Sequence, residues 1–185
     1  MTLQRLQNAA YARFADQGYE AATLSQIAGD VGIKKPSVYA HFKSKEDLFL
    51  SLIEPAIEGE YDYFRSLLTS SDDALSILYK GLTSIGERFE TIPYSRFWMR
   101  TTYLPPMVMY DKVIEHVHNF MCHIEDLFLG LIETIPNLLL PAQTLAAAYV
   151  GIISGLQAEL LYGGEERYKS RLEAMWAVFL KSLKG

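Results

Sequence analysis

The sequence predicts an all-α protein, a small head of short helices followed by a body of longer ones. Apolar residues recur at helical spacing along the chain, no stretch alternates as a half-buried strand does, and Gly and Pro punctuate the apolar runs. At 185 residues, half of them apolar, the chain has the material for a real buried core. Six Met and twelve Tyr stand beside a single Cys, Cys122, which excludes a disulfide framework within the chain and fits a reducing cytoplasm. The start, MTLQRLQNAAYARF, is amphipathic and unlike a signal peptide. The least charged stretch, Leu138 to Ala158, carries Pro141, Gln143, Thr144, Ser154 and Gln157, and reads as a buried helix rather than a membrane span. A soluble, cytoplasmic protein with no membrane contact is expected.

Element by element, Leu3, Leu6, Ala10 and Phe14 share one face of a first helix, which Gly18 ends by taking a left-handed conformation. Thr23 opens a second helix, with Gln26 as its capping-box partner and Leu24, Ile27, Ala28 and Val31 as its apolar face; Gly32 stops it. Pro36 suits the first turn of a third, very short helix buried through Val38 and Phe42. Ser44 and Asp47 cap a fourth helix carrying Leu48, Phe49, Leu52 and Ile53, in which Pro55 is expected to produce a kink. Longer helices follow at about 72–90, 95–104, 107–133, 142–162 and 165–183.

The overall charge is −5, but its distribution is uneven. Four basic residues, Lys34, Lys35, Lys43 and Lys45, fall around the third helix, a small cationic patch on an otherwise acidic molecule. Two short helices joined by a turn, the second packed only through Val38 and Phe42, leave Pro36, Ser37, Tyr39, Ala40 and His41 facing outward, the geometry of a recognition helix for a DNA major groove. A lysine in the first turn, Lys45, opposes the helix dipole, and a DNA phosphate at that place would account for it. Lys43 reads as a solvated surface charge, and His41 either meets DNA or caps its own short helix.

The run AAYARFADQGYEAATLSQIAGDVGIKKPSVYAHFKSKEDLF, within Leu6 to Phe49, resembles the N-terminal domain of TetR-family regulators, in the Phe14 to Gly18 helix end, Thr23, the Ile27-Ala28 pair, Gly32, the Tyr39-x-His41-Phe42 group and Lys45. It departs from the family pattern at Val31, where Ala is usual, and lacks a basic N-terminal arm. The resemblance covers about a quarter of the chain. It implies a helix-turn-helix DNA-binding domain over 1–47 and a C-terminal helical ligand-binding and dimerisation domain over 48–185. It further implies a homodimer on double-stranded operator DNA, usually a repressor, relieved by a small-molecule effector. The DNA contacts it implies are Thr23, Ser25, Lys34, Lys35, Ser37, Tyr39, His41 and Lys45.

In the body, the helix from Ala142 to Tyr162 is apolar all round. Leu145, Tyr149, Ile152, Leu156 and Leu160 form one face, and the small residues Ala147, Gly151, Ser154, Gly155 and Ala158 the other. Such a stripe fits a copy of itself across a two-fold axis, joined by Trp176 and Phe179 of the last helix; a deep core within one chain would use the same pattern. Tyr94, Phe97, Trp98, Tyr103, Met107 and Phe120 cluster in the middle third and are the candidate lining of a ligand pocket, with Arg96, Arg100, Glu115 or Glu159 as polar anchors. Glu115, His118 and Cys122 share a helix face at metal-ligand spacing, but no fourth ligand is evident and no metal or cofactor is expected. No catalytic signature of the G-x-S-x-G, H-E-x-x-H, P-loop or dinucleotide type is present, so an enzyme is not expected. Activator and repressor are indistinguishable at this level, and a helical adaptor that has lost DNA binding would have no use for Lys34, Lys35, Tyr39 and Lys45.

Overall fold

The computed structural model of the protein describes residues 3–183; Met1, Thr2, Lys184 and Gly185, the outer ends of the two expected domains, lie outside the described residues. Within them the elements are α1 (Leu3–Ala21), α2 (Leu24–Asp30), α3 (Lys35–Tyr39), α4 (Lys45–Ser51), α5 (Ile53–Leu68), α6 (Ala74–Thr91), α7 (Pro93–Tyr103), a 3-10 turn (Met107–Met109), α8 (Tyr110–Ile132), α9 (Ala142–Tyr162) and α10 (Gly164–Leu183), with no strand among the described residues. They gather into two compact units, one of residues up to 60 with 90–116, the other of 61–89 with residues from 117 onward. The recognition motif therefore ends earlier than the packing unit that carries it.

In the first unit, local sequence sets each helix end. The Thr23 hydroxyl accepts from the Gln26 amide while the Gln26 side chain accepts from the Thr23 amide, the reciprocal pair that the spacing predicts. Gly32 has φ +74°, a conformation glycine adopts without a Cβ penalty, and α2 stops there. Gly18 also has positive φ, +76°, but its ψ of 173° is not that of a helix cap, and helical hydrogen bonding resumes through Ala21. Leu3 is exposed, so the buried face of α1 begins at Leu6 and continues through Ala10, Tyr11, Phe14 and Ala15.

The kink expected at Pro55 is instead a break at Leu52, between α4 and α5. The physical cause is the one anticipated: Pro55 has no N–H for the Ser51 carbonyl, so the chain tightens there and Leu52 N–H bonds Phe49 O at 3.1 Å. The Tyr11 hydroxyl donates to Leu52 O at 2.9 Å and marks the break from α1; burial pushes its phenol above the usual range.

Around these helices lies an aromatic core contributed by α1, α4 and α7. Phe49 sits 5.1 Å from both Phe14 and Phe97, and Phe97 lies 5.3 Å from Tyr11, all edge-on. Arg96 of α7 pairs with Asp16 of α1 at 2.9 Å. Residues 90–116 belong to the first unit because α7 closes this core.

The second unit is built around Tyr149 of α9. Its ring packs 4.5 Å from Phe128 and 5.6 Å from Phe179, and its buried hydroxyl donates to Leu78 O at 2.6 Å, so the one polar atom has a partner. Gly81 makes room for that hydroxyl, which lies 2.6 Å from where a Cβ would be. Tyr168 of α10 likewise donates to Leu82 O at 2.6 Å. α9 is long and apolar enough to cross a membrane by composition alone. Leu145, Ala146, Tyr149, Val150, Ile153, Leu156 and Leu160 are nevertheless buried within its own unit.

Candidate nucleic-acid interface and apolar groove

α3 is held from beneath by Val38, with Phe42 buried just beyond it, while Lys34, Lys35, Ser37, Tyr39, Ala40 and His41 are exposed. A depression of about 320 Å³ lies between the α1–α2 corner, α3 and the start of α4, lined among others by Thr23, Lys35, Tyr39, Lys43 and Lys45. It brings together four of the eight expected DNA contacts and adds Lys43, which the sequence alone assigned to the solvated surface. Lys35 Nζ lies 5.8 Å from the centre of the Tyr39 ring, and Tyr39 is half exposed. Ser25, Lys34, Ser37 and His41 are exposed outside this depression. Thr23 already spends its hydroxyl on the capping box.

Lys45 differs from expectation. Its ammonium donates to Tyr19 O at 2.7 Å and Ala22 O at 3.1 Å, is 3.3 Å from Glu20 O, and sits 4.2 Å from the centre of the Tyr19 ring. It satisfies the carbonyl end of α1, where the helix dipole favours a cation. A phosphate is thus not needed to explain a lysine in the first turn of α4. Nearby, Arg13 of α1 grips Asp30 of α2 through two hydrogen bonds of 2.5 and 2.6 Å, and this holds the Asp30 carboxyl below the usual carboxylate range.

The expected ligand-lining group does not act as one cluster. Phe97 is enclosed in the aromatic core of the first unit, Tyr94 lies over Gly59, and Met107, on the 3-10 turn, is 79% exposed. Trp98 is buried and Tyr103 half-buried in that unit, whereas Phe120 belongs to the second, packed 5.2 Å from Tyr61. Closeness in sequence along α7 and α8 is the only basis for the grouping, and its members divide between the core of the first unit, an exposed turn and the second unit. Among the described residues no group of three His, Cys, Asp or Glu side chains is placed to hold a metal, and Cys122 Sγ lies 3.8 Å from His118 Nε2.

The small-residue stripe of α9 is divided between two uses. Gly155 abuts the Met175 side chain of α10, with 3.1 Å from its missing Cβ to the methyl carbon, so it serves packing within the chain. Ala147 and Gly151 stay exposed, while Ser154 and Ala158 are half-buried. Phe179, expected at a dimer face, is a core residue at 3% exposure, and Trp176 is half-buried against Tyr79 and Phe179. Ile152, assigned to the buried face, instead lines an apolar groove of about 460 Å³ between α9 and α10 with Leu140, Ala148, Ala174, Met175 and Val178. Val178 is 70% exposed.

Residues 6–52 match the family model described as "Bacterial regulatory proteins, tetR family". The chain is 34% identical over 83 residues to IcaR, the HTH-type negative transcriptional regulator of the biofilm operon icaADBC of Staphylococcus epidermidis, covering 41% of this chain and 43% of that protein. It is 35% identical over 60 residues to the HTH-type transcriptional activator FasR of Mycolicibacterium smegmatis, covering 32% and 27%. The matches thus span less than half the length of these relatives. Over almost its whole length the chain shares the fold of a TetR-family transcriptional regulator from Agrobacterium tumefaciens, with a TM-score of 0.77 at 17% identity, covering 98% of this chain and 97% of that one.

Proposed function

We propose, from a chain that belongs through residues 6–52 to the TetR family of bacterial regulatory proteins, that it is a DNA-binding transcriptional regulator, a homodimeric repressor released from its operator by a small molecule. The observation that carries the reading is the α3 surface: exposed Lys34, Lys35, Ser37, Tyr39 and His41 stand on a helix too short to need them for packing, beside a depression ringed by Lys35, Lys43 and Lys45. In a major groove, the start of α3 addresses base edges, and Tyr39 and the lysines address phosphates.

The groove between α9 and α10 supports the homodimer. A two-fold copy would cover Ile152, Ala148 and Val178, apolar side chains that a lone protomer leaves in contact with water. Two recognition helices then meet half-sites about 34 Å apart, one turn of DNA. An effector releases the protein when it binds better to a dimer with another spacing, and a differential affinity of about 1–3 kcal/mol is the usual size of such coupling.

The test is fluorescence anisotropy against DNA flanking the protein's own gene, at several salt concentrations and with random competitor. Saturable binding that survives competitor, is lost in Tyr39→Ala, and loses about one unit of salt slope in Lys35→Ala or Lys43→Ala is the expected result. Failure both there and in unbiased site selection would assign the α3 surface to protein contacts instead.

A further inference from the structure

Arginines in this chain are mostly engaged: Arg13, Arg65, Arg96, Arg167 and Arg171 each hold a carboxylate. Arg100, at the end of α7, is half-buried and its guanidinium has no hydrogen bond or ion pair among the described residues. It lies against Gly18, with its nitrogens 3.1 and 3.3 Å from where a Cβ would stand. It also lines a depression of about 240 Å³ in the first unit. The other walls are Gln17 to Glu20 at the end of α1, and Leu104, Pro105, Pro106 and Met107 after α7.

We propose that this depression binds a small amphipathic anion, its carboxylate on Arg100 and a short apolar chain against Leu104, Pro105 and Met107, and that occupancy is felt at the DNA-binding surface. Three observations converge on this chemistry. A half-buried cation without a counterion favours an anion, and a guanidinium offers a carboxylate a two-pronged grip. The volume equals that of about eight water molecules at ~30 Å³ each, which suits a compact ligand. Met107 at 79% and Leu104 at 44% exposure leave apolar surface for a chain to cover. Glu20, the other charged lining residue, is exposed and makes no ion pair with Arg100, so it leaves the guanidinium free.

The link to DNA is through shared residues. Tyr19 and Glu20 wall the depression, and their carbonyls face the Lys45 ammonium at the depression between α3 and α4. A ligand that shifts this segment changes where Lys45 is held. This coupling rests on the DNA-binding reading, whereas ligand binding does not.

The experiment is isothermal titration calorimetry of the DNA-free protein with octanoate, octanol and octylamine, repeated on Arg100→Gln and on Met107→Glu, whose exposed position can accept a charge without disturbing the core. The expected result is one octanoate per protomer, weakened about tenfold or more in both variants, with octanol weaker and octylamine inert. Octanol or octylamine binding as well as octanoate, octanoate binding equally to both variants, or no octanoate binding in the millimolar range would each overturn the site. Octanoate that binds through Arg100 but leaves the operator Kd unchanged would overturn the coupling alone.

Discussion

Lys45 shows how one residue can carry two readings. Its place in the family-like motif suggests a phosphate ligand, whereas its geometry makes it the tie between the end of α1 and the start of α4. Replacing it with Met keeps the stem and removes the ammonium. Three helix-end carbonyls then lose their cation, and we expect urea denaturation to register a loss on the order of 1–2 kcal/mol. A lysine that served only phosphate would leave stability untouched and would instead lower the salt slope of DNA binding by about one. Thr23, Gln26 and Gly32 were fully legible in the sequence because their partners lie within a few residues. The partners of Lys45 are 23 to 26 residues away, beyond what spacing along one helix can reveal.

Among the elements, α9 stands where its sequence places it and buries Leu145, Tyr149, Leu156 and Leu160 as expected, with Ala147 and Gly151 exposed and Ile152 the exception. A helix that is apolar all round gives periodicity little direction to report, and Ile152, expected in the interior, is half-buried along the α9–α10 groove, whose floor is shared by the core residue Phe179 of α10. Two substitutions separate its faces. Gly81→Ala would press a methyl against the buried Tyr149 hydroxyl, and should lower the unfolding free energy by about 1–3 kcal/mol without changing the oligomeric state. Val178→Arg, on a side chain 70% exposed, should leave the fold of a protomer intact and shift sedimentation from dimer to monomer at micromolar concentration. A dimer that persists in the arginine variant would place the interface elsewhere. Pro55 teaches a related lesson: its effect on backbone bonding was readable, but not whether the helix would bend or divide.

For the molecule as a whole, helix content, element order and the exposure of the α3 side chains were legible because each depends on neighbours in sequence. The two-unit packing was not, because Phe97 joins Phe14 and Phe49 across long separations and no periodicity encodes that meeting. Acid sensitivity is also a property of the whole fold. Asp30 beside Arg13, and Glu159 beside Arg167 and Arg171, have carboxyls held below their ordinary range. Groups depressed in the folded state stabilise it above their unfolded pKa, near 4, and lose that contribution as pH falls through the folded value. Thermal melts should therefore decline below about pH 4, less steeply in Asp30→Asn, and the difference should shrink in high salt because these pairs are solvent-accessible.

The aromatic core also bears on recombination. Residues 1–47 look like a detachable cassette, yet Phe14 rests on Phe49 and Phe97, which lie outside it. Grafting that segment onto a foreign regulator would transplant half of a ring cluster and leave its complement behind. A chimera is expected to keep its DNA preference only when the recipient supplies matching rings at both places, or when the crossover carries 48–60 and 90–116 along with the head.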